Sequence, residues 1–162
     1  RADAAANAVI EGVRVAPGSA FSHASAAWVR TYVGRAEEAQ PFFERAKRMY
    51  VYPPWWMFGT QSQGLADLGE HAAANEVLRV AEGLSPPGLG VFWHAGYAQN
   101  LLAMGQEDDA RREIAKAFEL DSNLSIQALR VWYFPDSVPS IPERRYQRLR
   151  TLGVPDVPPV AN

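Results

Sequence analysis

Three segments of this chain share one pattern at spacings of 35 and 36 residues, beginning at Gly34, Gly69 and Gly105. An internal repeat of that length limits the fold more than any other feature of the sequence. The third copy reads GQEDDARREIAKAFELDSN: a glycine, a short polar turn, then an amphipathic run with Ala110, Ile114, Ala117 and Leu120 at helical spacing. The second copy has Ala74, Leu78, Ala81 and Leu84 at the same places. The first has Ala39, Phe43, Ala46 and Met49. The N-terminus supplies the second half of a further copy, with Ala5, Val9, Gly12 and Val15, then Pro17. A helix precedes each glycine, over about 20–34, 55–69 and 91–105. Its eighth position is small in every copy: Ala27, Ser62 and Ala98. At the eleventh position Leu65 and Leu101 fit an apolar column, and Arg30 does not.

Small residues at matched positions let two antiparallel helices approach closely, while Leu65, Phe43 and Leu120 fill the gaps between them. The glycine ends the first helix at a positive φ without steric penalty. One such hairpin cannot bury its apolar face alone, so neighbours stack.

The columns resemble the tetratricopeptide repeat (TPR). Ala5, Ala39, Ala74 and Ala110 match its first alanine; Ala46, Ala81 and Ala117 match its second, with Gly12 in the partial copy. Pro17 and Pro86 match its proline, from which Val51 and Ser122 depart. The aromatic of position 4 is Phe58 in one copy and His23 and His94 in the others. The resemblance implies an all-α fold, a helix–turn–helix solenoid or α-α superhelix. Its parts are the second helix of a truncated repeat over 2–17, repeats over 20–52, 55–88 and 91–123, capping helices over 124–153 and a Pro-rich tail over 154–162. Within the cap, Leu124–Phe134 reads as one helix ended by Pro135, and DSVPS as a turn-rich link. The last helix reads from Ser140, which with Glu143 makes a capping box, with Pro142 in the first turn and Gly153 as the stop. The tail after it reads as extended and partly disordered.

In that family the first helix of each repeat lines a concave groove through positions 2, 5, 9 and 12. Position 2 is Phe21, Trp56 and Phe92; position 9 is Trp28, Gln63 and Gln99; Ala24, Gly59 and Ala95 at position 5 leave room. A ladder of aromatic and amide groups suits an extended or helical peptide, so these six residues are the expected binding groove. Packing between repeats is the alternative use of the same aromatics. The Lys, Arg and Asn that clamp a terminal carboxylate in some members are missing from these positions. Trp55, Trp93 and Trp132 are expected in packing between helices.

Composition excludes more than it indicates. The chain has no Cys, which removes disulfides, thiolate metal sites and a cysteine nucleophile. A net charge of -2 gives no overall pull toward nucleic acid or anionic lipid. No signal peptide or membrane-spanning stretch is visible, so a cytoplasmic protein without a membrane partner is expected. His23, His71 and His94 have no paired-ligand spacing, and Glu37, Glu38, Glu107, Asp108 and Asp109 complement the starts of second helices. No phosphate loop or nucleophile elbow occurs. No cofactor, metal or catalytic residue is therefore expected. Arg144, Arg145 and Arg148, with Arg150, form the one basic cluster, read as a solvated capping face or a contact patch for phosphate or another domain.

The expected function is a non-catalytic protein–protein interaction module that binds a peptide or protein. The opening at Arg1, inside a repeat and without Met, reads as a piece of a larger protein. Arg148, Leu149, Leu152, Gly153 and Pro155 resemble the end of the C-terminal TPR regions of bacterial signalling proteins that carry a nucleotide cyclase or winged-helix domain upstream. That likeness implies an alternative: an intramolecular regulatory or dimerisation region, with the upstream domain or a second copy as partner. An enzyme with an unrecognised site is the remotest reading.

Overall fold

Gly34, Gly69 and Gly105 have φ of 82°, 83° and 77°, and each closes a helix. The computed structural model describes residues 2–132 and 140–159, with side chains described for 3–130 and 143–159. Among the described residues there are nine helices and no strand: α1 (Ala2–Val15), α2 (Ala20–Tyr32), α3 (Ala36–Met49), α4 (Trp55–Asp67), α5 (His71–Leu84), α6 (Gly90–Ala103), α7 (Glu107–Leu120), α8 (Ile126–Trp132) and α9 (Ser140–Thr151). Connections of three residues, 33–35, 68–70 and 104–106, fold α2 onto α3, α4 onto α5 and α6 onto α7. These are three antiparallel helix hairpins.

The three hairpin turns are built alike. The amide after each glycine donates to the carbonyl five residues back: Arg35 to Arg30 at 2.8 Å, Glu70 to Leu65 at 2.9 Å, Gln106 to Leu101 at 2.9 Å. The glycine amide itself donates to the carbonyl three back, to Thr31, Ala66 and Leu102. Both bonds of the Schellman motif are therefore present, and only a residue at positive φ closes it cheaply. Gly153 (φ 93°) ends α9 the same way, with Val154 bonded to Leu149 at 3.0 Å.

The chain forms two compact units, residues 1–84 and 85–162. In unit 1 the core at the α2–α3 hairpin is Ala24, Ala27, Ala39, Phe43, Ala46 and Met57, all fully buried. The alanines bring the backbones together and Phe43 fills the space between them. Arg30, at the otherwise apolar eleventh position, is buried because Glu38 Oε2 accepts from its Nη1 at 2.9 Å and its guanidinium lies over the Phe42 ring at 5.4 Å. In α1 the expected column is open: Ala5 and Gly12 are exposed, and Ala6 is the buried alanine. Ala6 belongs to the face of α1 that is turned to α2, and Ala5 lies off that face.

In unit 2 the α6–α7 hairpin contributes Val91, Ala95, Ala98, Ala110, Ile114 and Ala117 to a core completed by Leu124, Ile126, Leu129, Tyr146, Leu149, Leu152 and Val154. Here the structure corrects two expectations. The helix expected from Leu124 begins at Ile126, because the Ser125 hydroxyl caps it, accepting from Ala128 N at 3.2 Å. In the tail, expected to be extended and partly disordered, residues 154–156 are tied down. Val154 is buried, and the carbonyls of Pro155 and Asp156 accept from the amides of Ile126 (2.8 Å) and Gln127 (3.0 Å) at the start of α8. The expected capping box lies partly outside the described side chains, which omit Ser140 and Pro142, and so does the packing expected of Trp132. Phe134, Pro135, residues 136–139 of the DSVPS link and residues 160–162 lie outside the described residues altogether, and the last residue of that link, Ser140, opens α9.

Candidate functional site

Residues seven apart on a helix fall on one face, so positions 2 and 9 of each first helix form a vertical pair. On α2 the pair is Phe21 and Trp28. On α4, which packs against α2, it is Trp56 and Gln63. Phe21 is 65% exposed, while Trp28, Trp56 and Gln63 are half-buried. Trp28 stands edge-on to Tyr32 one turn later, with ring centroids 5.8 Å apart and planes at 83°. Trp56 packs on the unit 1 core. The Thr60 hydroxyl, one turn below, donates to its carbonyl at 2.9 Å. Unit 1 thus presents a run of aromatic and amide side chains on two neighbouring helices. Between Ala20 and Tyr32 and between Trp55 and Asp67 the only charges are Arg30, which is buried and paired, and Asp67 at the far end. The face is neutral.

The equivalent pair on α6 is placed differently. Phe92 packs against the unit 2 core, and Gln99 is only 7% exposed, with its Oε1 buried and without a hydrogen-bond partner. The run of residues 95–100 is buried throughout, because α7 and α9 both pack on α6. Sequence periodicity gave no sign of that second cover. The small residues Ala24, Gly59 and Ala95, expected to leave room, are buried as well and open no space. Trp93 is buried, its indole N–H donating to Ser85 Oγ at 3.0 Å.

A polar cluster lies beside the α2–α4 face. Gln61, buried, donates from Nε2 to Glu44 Oε1 at 3.2 Å and to Gln40 Oε1 at 3.5 Å, and its own Oε1 has no partner. Burial would raise the Glu44 carboxyl; Lys47, whose Nζ lies 2.6 Å away, and Gln61 outweigh it and hold the group below the usual carboxylate range. Sequence reasoning passed over Gln40 and Gln61, because a lone glutamine on a helix reads as surface.

The two histidines of position 4 meet the second helix or the preceding turn. His23 Nε2 lies 3.0 Å from the Pro17 carbonyl oxygen, and His94 Nδ1 lies 2.6 Å from Glu113 Oε2. No group of three His, Asp or Glu side chains that could hold a metal occurs among the described residues. In the basic cluster Arg144 is exposed, and Arg145 and Arg148 are half-buried. Arg150 is engaged with Glu143 (2.6 Å) and Asp156 (2.8 Å), binding the tail to α9. No helix among the described residues is long and apolar enough to cross a membrane. Comparison with protein-family models, curated proteins and solved structures finds no match to this chain.

Proposed function

We propose that this chain is a non-catalytic interaction module of the tetratricopeptide-repeat type, and that unit 1 takes a peptide or protein segment on the α2–α4 face. The observation that carries the reading is the stacked pairs Phe21–Trp28 and Trp56–Gln63 on adjacent helices, part-exposed and nearly free of charge. Rigid aromatic rings give large contact area at small entropic cost, and an amide beside them fixes the direction of a peptide backbone. Helix hairpins repeating at 35 and 36 residues with identical glycine turns are the scaffold such a face requires. The binding face proposed here is narrower than the six-residue groove read from the sequence, since Phe92 and Gln99 serve the core of unit 2.

A displayed peptide library selected on the native chain tests the reading. Selected peptides should lose binding when Phe21 and Trp28 are both replaced by Ala, with helical circular dichroism retained. A library without binders, or binders indifferent to both residues, overturns it.

A further inference from the structure

The helices of unit 1 alternate in direction, being joined by short connections, so the ends of α1 and α3 and the starts of α2 and α4 lie at one end of the unit. That end carries Val15, Phe21, Val51 and Tyr52, which are 74%, 65%, 82% and 87% exposed. They are the four most exposed large apolar side chains among the described residues. Val51 and Tyr52 form the tip of the connection 50–54, whose sequence runs from Tyr50 through two prolines into Trp55 and Trp56.

The same end is cationic. Arg14, Lys47 and Arg48 stand in the last turns of α1 and α3, and Arg45 lies in the turn before the last of α3. Glu11 pairs with Arg14, and Glu44 with Lys47, both at 2.6 Å. α5 adds Glu82 near its end and Arg79 about a turn earlier, one charge of each sign. Arg45 and Arg48 are exposed and make no ion-pair contact within 4 Å among the described residues, though Arg48 is near enough to help hold the Glu44 carboxyl down. The carboxylates Asp3, Glu37, Glu38, Asp67 and Glu70 are at the opposite end, against Arg30 and Arg35. The chain's net charge of -2 averages over this polarity and conceals it.

The geometry points to a peripheral membrane contact: the 50–54 tip seats Val51 and Tyr52 at the surface of an anionic lipid bilayer, with Arg45 and Arg48 on the lipid phosphates. Tyrosine and tryptophan favour the level of the headgroups, where an apolar ring and a polar tip are both satisfied. Neighbouring cations add attraction to acidic lipid, about fivefold in affinity for each one. A protein partner would meet the two exposed arginines with carboxylates of its own. A bilayer supplies the negative charge and the apolar layer together, in the order in which this end presents them. Phe21 stands at this end as well, but the variants that test the bilayer contact, at Val51, Tyr52, Arg45 and Arg48, leave Phe21 and Trp28 unchanged, so the failures of the two readings are distinguishable.

Sedimentation of the native chain with vesicles of phosphatidylcholine, with and without phosphatidylserine, tests it. The chain should pellet with the phosphatidylserine vesicles only, less so as salt is added. V51D/Y52S should abolish pelleting, and R45Q and R48Q should each weaken it about fivefold. All four side chains are exposed or half-exposed at a helix end, so circular dichroism should stay native; should V51D/Y52S lose helicity, R45Q/R48Q decides alone. No pelleting by the native chain overturns the inference. So does equal pelleting by folded variants, binding indifferent to phosphatidylserine, or a protein that binds at Val51 and Tyr52 while vesicles do not.

Discussion

His94 Nδ1 and Glu113 Oε2, 2.6 Å apart and mostly shielded from solvent, tie the first helix of the unit 2 hairpin to the second. Burial would raise the Glu113 carboxyl; Lys116, at 2.7 Å, and His94 outweigh it and hold the group below its ordinary value of 4.5. A carboxyl lowered on folding stabilises the fold fully above the unfolded value, and the contribution disappears as pH falls through the folded value. Glu113→Gln should therefore cost about 1 kcal/mol of stability at neutral pH, read as a lower urea midpoint, and cost progressively less as pH falls through the folded value of the carboxyl. A loss that stays the same at neutral and acid pH would show that the carboxylate's charge is not what stabilises.

Gly69 and Gly83 should respond to alanine in opposite directions. A Cβ at either position meets nothing within 4 Å, so only the backbone decides. Gly69 has φ 83° and Gly83 lies within α5. Gly69→Ala should cost about 1–2 kcal/mol, and Gly83→Ala should gain about 0.5–1 kcal/mol. Thermal unfolding of the two variants checks both signs.

Gly64 is a place of close approach. A Cβ there would lie 3.1 Å from Gln40 Nε2 and 3.4 Å from Thr31 Oγ1. The Gln40 amide is held by the Ala36 carbonyl (3.3 Å) and by Gln61. Gly64→Ala should destabilise by about 1 kcal/mol, and part of that cost should vanish in the Gln40→Ala background. An additive double-mutant cycle would place the strain elsewhere.

Phe43 fills the space that Ala24, Ala27, Ala39 and Ala46 leave. Alanine neighbours cannot expand into a void, so Phe43→Ala should cost about 3–5 kcal/mol. Because Phe43 belongs to unit 1, hydrogen exchange should accelerate in residues 20–67 more than in residues 90–130.

The tail closes α8 by backbone bonds, and Arg150 adds exposed ion pairs. Truncation after Gly153 should expose the amides of Ile126 and Gln127 and accelerate their exchange, whereas Arg150→Ala should cost under about 1 kcal/mol. The reverse ranking would mean that the arginine, not the peptide carbonyls, anchors the tail.

The hairpins were legible because their cause is local. A glycine at positive φ and alanines seven apart leave the same mark in every copy, and Ala39, Ala46, Ala74, Ala81, Ala110 and Ala117 are all fully buried. What stayed hidden depends on residues distant in sequence. Gln99 and Phe92 were read as groove residues from position alone, and the packing of α9 on α6 cannot be seen in the sequence of α6. Ala5 and Ala6 are both alanine, so only their neighbours separate the exposed one from the buried one. The tail's two acceptors are main-chain carbonyls, which every residue has. The polarity of unit 1 escaped because charge summed along a chain ignores which helix ends meet.

The four glycine stops share a further property. Each terminates its helix with main-chain bonds that need nothing from the surrounding side chains beyond one position without a Cβ. Punctuation of this kind leaves the neighbouring letters free to drift. Arg30 stands one turn before Gly34 where the other copies have Leu65 and Leu101, and His94 stands where another copy has Phe58, without moving the end of either helix. Hairpins that share these joints can therefore differ in what their faces carry.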